Sequence, residues 1–350
     1  MNVLINMAEV IENNKGVRNK TILVCIVLFV LLVFLFMLDI LFGSVNISLS
    51  DCLMGLTDEN SVYHTILLKI RLPKAIGAIL VGVALSLSGL LMQTFFRNPL
   101  AGPYVLGVSS GASLGVAAFM LLLPLIGISM SESVVRWGSA IFALGGSILL
   151  FMMVLFASFR LRDSVSLLVV GMLLGSAAGA VITILQNLAD PESVKFFVNW
   201  TLGSLSLIGW QQLAVMTPLV VIALILMLQL VKPLDALLMG EDFAKGVGVE
   251  VNRVRIIVVL VTVLLTGGTT AFTGPIGFVG LAVPHVARLL LQTSVHRRII
   301  PCALLLGACV MLLSDILSQL PQNGYVIPIN AITALLGIPV VLWVVYLKKP

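Results

Sequence analysis

K-P-L-D-A-L-L-M-G-E-D-F-A-K-G-V-G-V-E-V-N-R-V-R, residues Lys232 to Arg255, decides how the rest of the chain is read. Lys232, Asp235, Glu241, Asp242, Lys245, Glu250, Arg253 and Arg255 crowd into it, while the flanking sequence is apolar enough for a membrane interior. Charges at that density do not sit in hydrocarbon, so the segment lies outside the bilayer. Its pattern is that of a short helix. Glu241 and Asp242 suit the positive N-terminal end, Lys245 comes later, and Gly246 and Gly248 stop it. Phe243, Ala244 and Val247 share one face of such a helix. So short a helix is marginal alone in water, so that face packs either on this chain or on a cytoplasmic partner.

The totals agree with this division. Of 350 residues, 60% are hydrophobic and 10% charged, where a soluble domain carries about 25% charged residues. The mean hydropathy is +1.17. The composition is that of an all-α polytopic membrane protein. The net charge of +5 is dispersed over short loops, so it reports topology rather than nucleic-acid binding. Cys25, Cys52, Cys302 and Cys309 show no metal-type spacing and imply no disulfide framework. His64, His285 and His296 are scattered, and no metal or cofactor site is assigned.

At roughly 20 apolar residues per span, the chain divides into about ten. The limits fall near 21–42, 73–96, 104–124, 137–158, 164–188, 210–231, 254–273, 277–291, 299–320 and 328–347. A surface helix is placed near Phe196 to Leu205. Residues 1–20 form an N-terminal tail and 21–350 the membrane domain; the run from Thr21 to Phe42 is a retained span, without a small-residue cleavage pattern. With the N-terminus inside, the inner side holds Lys15, Arg18, Lys20, Arg97, Arg160, Arg162, Lys232, Lys245, Arg253, Arg255, Arg297, Arg298, Lys348 and Lys349. Lys69, Arg71, Lys74, Arg136 and Lys195 fall outside. Both termini and the 232–255 loop are therefore expected in the cytoplasm. Gly171, Gly175 and Gly179 make a small-residue stripe on the fifth span, suited to close helix packing or to a cavity wall. Gly89 to Val108 and Gly267 to Val286 echo one another on opposite sides, as inverted repeats do.

Catalysis finds little support. Gly107-Val108-Ser109-Ser110-Gly111 matches the G-x-S-x-G pattern, but that pattern has meaning only on a strand–turn–helix elbow. His285 follows Pro284 with Arg288 three residues later, a structural arrangement by default. Asp39 and Asp315 lie near outer span ends and no other acid lies deep in a span, which counts against an ion-coupled carrier. The chain lacks a G-x-x-x-x-G-K-[ST] loop, so ATP is not hydrolysed here.

Taken together, R-L-P-K at 71–74, S-G-L-L-M-Q-T-F-F-R-N-P-L-A-G-P at 88–103 and L-G-V-S-S-G-A-S at 106–113 resemble the FecCD/BtuC-type permeases of bacterial iron-siderophore, haem and vitamin B12 ABC importers. L-M-G-E-D-F-A-K-G-V-G-V at 238–249, G-P-I-G-F-V-G-L-A-V-P-H-V-A-R-L at 274–289 and P-I-N-A-I-T-A-L-L-G-I-P at 328–339 continue the match in the family's order. The resemblance implies a type II ABC importer permease fold in the inner membrane. It implies a homodimer, two ATPase subunits that use the ATP, and a periplasmic or lipid-anchored binding protein outside. The coupling positions carried over are Gly240, Glu241, Ala244, Gly246 and Gly248, with Phe243 on the same helix. Arg71 and Lys74 stand where the family docks its binding protein; lysine at 74 keeps the charge but loses the arginine fork. Gln319 replaces a basic residue used by one branch. Met172, Ser176 and Thr183 on the fifth span, with Asn330 and Thr333 on the tenth, are the implied path-lining residues. Asn330 departs from a frequent glycine. The competing class is a partner-free channel or secondary transporter.

Overall fold

Small residues make the segment Val62–Phe95 the central helix of the molecule. The structure, a computed structural model, describes residues 2–43, 51, 55, 57–58, 60–104, 107–125, 132–160, 164–320 and 326–347. In chain order the helices are α1 (Asn2–Leu41), α2 (Val62–Phe95), α3 (Val108–Leu122), α4 (Glu132–Arg160), α5 (Ser164–Leu188), α6 (Pro191–Thr201) and α7 (Trp210–Leu228). They continue with α8 (Val231–Leu238), α9 (Glu241–Gly246), α10 (Val251–Thr273), α11 (Val279–Leu291), α12 (His296–Ser318) and α13 (Ile329–Leu347). In α2, 83% of the most apolar stretch is buried, against 11% in α1 and in α5. Glycine notches explain the difference. A methyl group at Gly82 would overlap the Gly307 carbonyl of α12, and one at Gly89 the Gly280 carbonyl of α11. Without side chains at these points, backbone seats directly on backbone, the close approach that association in lipid rewards. Ser86 and Ser88, fully buried, satisfy their hydroxyls on the Val83 and Leu85 carbonyls of their own helix.

Around this axis α12 packs on α2, α1 lies against α12, and α7 and α10 close another side. A second unit forms where α3 meets α4, again through notches: Gly111 on Gly146, and Gly115 on the Phe142 carbonyl. There α5 packs on α3 and α4, while α13 packs on α11 and α12. The Gly171–Gly179 stripe is only partly used within the chain, since Gly175 faces Ser110 whereas nothing lies within 4 Å of a methyl at Gly179.

Among the described residues seven helices are long and apolar enough to cross a membrane, and three shorter apolar ones (Val108–Leu122, Val279–Leu291 and Ile329–Trp343) bring the total to ten. That matches the count drawn from the sequence. Several boundaries differ. The helix of the first span reaches back to Asn2, through the expected tail. The second begins at Val62 rather than 73, because Ser61 accepts from the Tyr63 amide and buried carbonyls absorb Arg71. The surface helix starts at Pro191, not Phe196. Asp190 caps it by accepting from the Glu192 and Ser193 amides, and Pro191 sits at its first position. The Ser193 amide holds the Asp190 carboxyl below its usual range. A lowered carboxylate stabilises above its unfolded value and fades as pH falls through the folded one, so this anchor weakens only in acid.

Candidate functional site

The 232–255 segment folds as two short helices whose inner sides are fixed and whose outer side is bare. Leu234 and Leu237 of α8 and Ala244 of α9 are buried in the bundle. Gly240 at φ +117 and Gly248 at φ +85 adopt backbone that a side chain resists, turning the chain sharply at both ends of α9. Glu241 lies 3.7 Å from Arg255 at the base of α10 and 3.9 Å from Lys245 one turn on. Arg255 in turn lies over the Phe95 ring at the end of α2, 5.8 Å from its centroid.

The expected shared face of Phe243, Ala244 and Val247 is corrected. Residues 243 and 247, four apart, point outward together, whereas Ala244, a third of a turn round, points in. Phe243 is 49%, Val247 58% and Met239 70% exposed. Large apolar side chains thus stand exposed on an otherwise charged loop.

Behind this face two motif stretches interlock. Arg288 donates to Gln93 Oε1 at 2.6 Å, Gln93 Nε2 donates to the Leu281 carbonyl at 3.1 Å, and His285 Nε2 lies 2.7 Å from the Pro99 carbonyl. The end of α2 and the turn after it are thereby tied to α11. Arg97, at φ +46, brings its guanidinium beside Gly240. Asp235, His296 and Thr94 also come together here. No local pattern had singled them out, because 61 and 202 residues separate the two contacting pairs.

The nominated path residues divide into two groups. Met172, Ser176 and Thr183 lie on the exposed face of α5 among Val169, Leu173, Val181 and Ile184. Ser176 and Thr183 donate to the Met172 and Gly179 carbonyls, so their hydroxyls are already satisfied. Thr333 is buried and donates to the Asn330 carbonyl. Asn330 accepts from the Gly277 amide at 3.0 Å, next to Phe278 at φ +64. Its side chain clamps the Gly274–Phe278 turn, which a glycine there could not do.

Arg71 and Lys74 turn inward, with 5% and 8% exposure. Arg71 donates to the Ile40 and Leu41 carbonyls at the end of α1, at 2.6 and 2.7 Å. Lys74 pairs with Asp315 at 2.7 Å, and Gln319 donates to the same oxygen at 3.0 Å. Neither offers a free charge to the surface as placed. Lys74→Met is expected to lower stability by about 3–5 kcal/mol, because it strands a buried carboxylate. Adding Asp315→Leu should restore most of the loss. Thermal unfolding of the purified protein in detergent checks both variants.

The sequence profile of the FecCD transport family matches residues 31–347. The chain belongs to that family. Among FecCD-related proteins it is 37% identical to YvrB of Bacillus subtilis (strain 168), an uncharacterized ABC transporter permease, over 81% of this chain and 79% of YvrB. It is 34% identical to the hemin transport system permease HmuU of Yersinia pestis, over 88% of this chain and 92% of that one. The vitamin B12 import system permease BtuC of Klebsiella pneumoniae is 35% identical, over 79% and 80%. A solved chain described as an inward-facing conformation of a metal-chelate type ABC transporter superposes with a TM-score of 0.80 at 29% identity, covering 92% of this chain and 98% of that one. A FecCD chain is a transport permease rather than an enzyme, embedded as a multi-pass inner-membrane protein. At Ser109 the G-x-S-x-G run opens helix α3 from a left-handed Gly107, and His285 is engaged with Pro99. Ser109→Ala with Ser110→Ala should therefore leave transport largely unchanged.

Proposed function

We propose that the chain forms the pore of an importer for an iron chelate, with ferric siderophore as the first candidate cargo and haem and cobalamin as rivals. The observation that carries this reading is the bare apolar face of Met239, Phe243 and Val247 on an otherwise charged loop. It is the surface to which an ATPase subunit would dock, on residues 238–249. The names of the relatives, a hemin permease, a vitamin B12 permease and a metal-chelate transporter, support the cargo class. The exposed apolar face of α5 supports a homodimer, with Met172, Ser176 and Thr183 beside the path and the partner copy, and one ATPase subunit for each permease copy. The excess of lysine and arginine on one side supports cytoplasmic termini and a cytoplasmic 232–255 loop.

ATP binding would close the ATPase pair, draw on α8 and α9, and rock the spans so that the cavity changes the side it faces. A binding protein would dock at the opposite end. Its acids would reach Arg71 and Lys74 by exchange, replacing the α1 carbonyls and Asp315 as their partners. The test is uptake into proteoliposomes of radiolabelled ferric siderophore, haem or cobalamin. Uptake is expected only with ATPase subunit, binding protein and ATP all present; uptake by the permease alone would instead identify a channel or secondary carrier. A cysteine at Lys245 that reacts with an impermeant reagent in intact cells would overturn the orientation.

A further inference from the structure

We propose that Asp235, His296 and Thr94 form a positioning link that carries movement of the coupling segment into α2 and α12. The inference rests on the coupling role of residues 238–249 and adds the route by which force leaves them. Asp235 lies in α8, immediately before that segment. Its Oδ1 accepts from the His296 backbone amide at 2.9 Å and stands 2.6 Å from His296 Nδ1. His296 begins α12, and its other ring nitrogen lies 2.8 Å from the Thr94 hydroxyl, one residue from the end of α2. One carboxylate, one imidazole and one hydroxyl thus join three helices in a continuous chain.

The directions of the hydrogen bonds follow from the groups. A carboxylate only accepts, so Nδ1 carries the hydrogen; on a neutral ring Nε2 then accepts from Thr94. Carboxylate, imidazole and hydroxyl in that order also describe a nucleophilic triad, but Thr94 and His296 are each 1% exposed. No substrate reaches that hydroxyl, and the chain is mechanical rather than catalytic. Its position favours transmission. Asp235 is the partly exposed end, toward the loop, and the other two lie in the packed interior, where hydrogen bonds are short and strong. Leu234 and Leu237 beside Asp235 supply apolar grip, and the polar link fixes register, which apolar contact alone does not.

The experiment uses the permease bound to its ATPase subunit in nanodiscs, with spin labels on cysteines at Lys232 and Arg297, both exposed and outside residues 238–249. Distances are measured without nucleotide and with ATP and vanadate. In the wild-type background the separation should be narrow and identical in both states, because α8 and α12 travel together. Asp235→Ala should keep the ATPase subunit bound in the same ratio yet make the separation depend on nucleotide. A second pair, at Lys232 and Leu100, reads the α2 end. There Thr94→Val, which exchanges the hydroxyl for a methyl of similar size, should widen the distribution on the order of twofold, whereas Thr94→Ser, which keeps the hydroxyl, should leave it as in the wild type. A residue that merely stabilises the fold would lower the melting temperature without creating nucleotide dependence. The link is overturned if the wild-type separation itself shifts with nucleotide, or if Asp235→Ala and Thr94→Val both behave as wild type. Loss of the parent coupling reading looks different: Phe243→Asp would then retain the ATPase subunit.

Discussion

Phe243→Asp is expected to leave a folded permease in the membrane that no longer holds its ATPase subunit. The two effects separate because of where the side chain sits. Half exposed on a short surface helix, Phe243 contributes little to the fold, and surface substitutions of this kind fall within about 0.5 kcal/mol. An aromatic anchor at the centre of a protein interface is worth about 2 kcal/mol or more, roughly a thirtyfold change in affinity. Glu241→Lys should act on the same face by another route. It replaces the acid beside Arg255 and Lys245 with a third cation, so α9 loses its tie to the base of α10. Both variants should insert at wild-type levels, fail to co-purify the ATPase subunit and lose ATP-driven uptake. Retention of assembly and uptake by both would sink the assignment of this loop.

The second large effect is expected at Gly89. A single methyl group there falls on the Gly280 carbonyl, and neither helix backbone can step aside while Gly82 is seated on Gly307. Overpacking in a dense interior costs about 1–3 kcal/mol when side chains can adjust, and more when only backbone is available. Gly89→Val should therefore abolish accumulation of folded protein, and Gly89→Ala should lower its melting temperature markedly. Gly145→Ala is the control. Nothing lies within 4 Å of a methyl at that helical position, so the change should gain up to about 1 kcal/mol from helix propensity alone. If Gly89→Ala melts with Gly145→Ala, the close seating of α2 on α11 is wrong.

These two sites show what a sequence discloses and what it withholds. Spans announce themselves because hydrocarbon demands long apolar runs, and the 232–255 segment announces itself because charges at that density can lie only outside. Spacing also placed Phe243 and Val247 on one side of α9. It did not say whether that side faced the bundle or the solvent, since apolar residues serve either purpose. Arg71 and Lys74 read as outward charges because their partners, the α1 carbonyls and Asp315, belong to helices far off in the chain. The early start of α2 was hidden for the same reason, as Arg71 looks like a loop residue until its acceptors are known. The Asp235–His296–Thr94 chain had no local signature at all.

The notches along α2 carry one more implication. Where main chain rests on main chain there are no rotamers to flip and no side chains to ratchet, and a slip of one turn would drive peptide into peptide. Helices α2, α11 and α12 must then travel as one strut, so any aperture that admits cargo opens along the strut's margins and never through its middle.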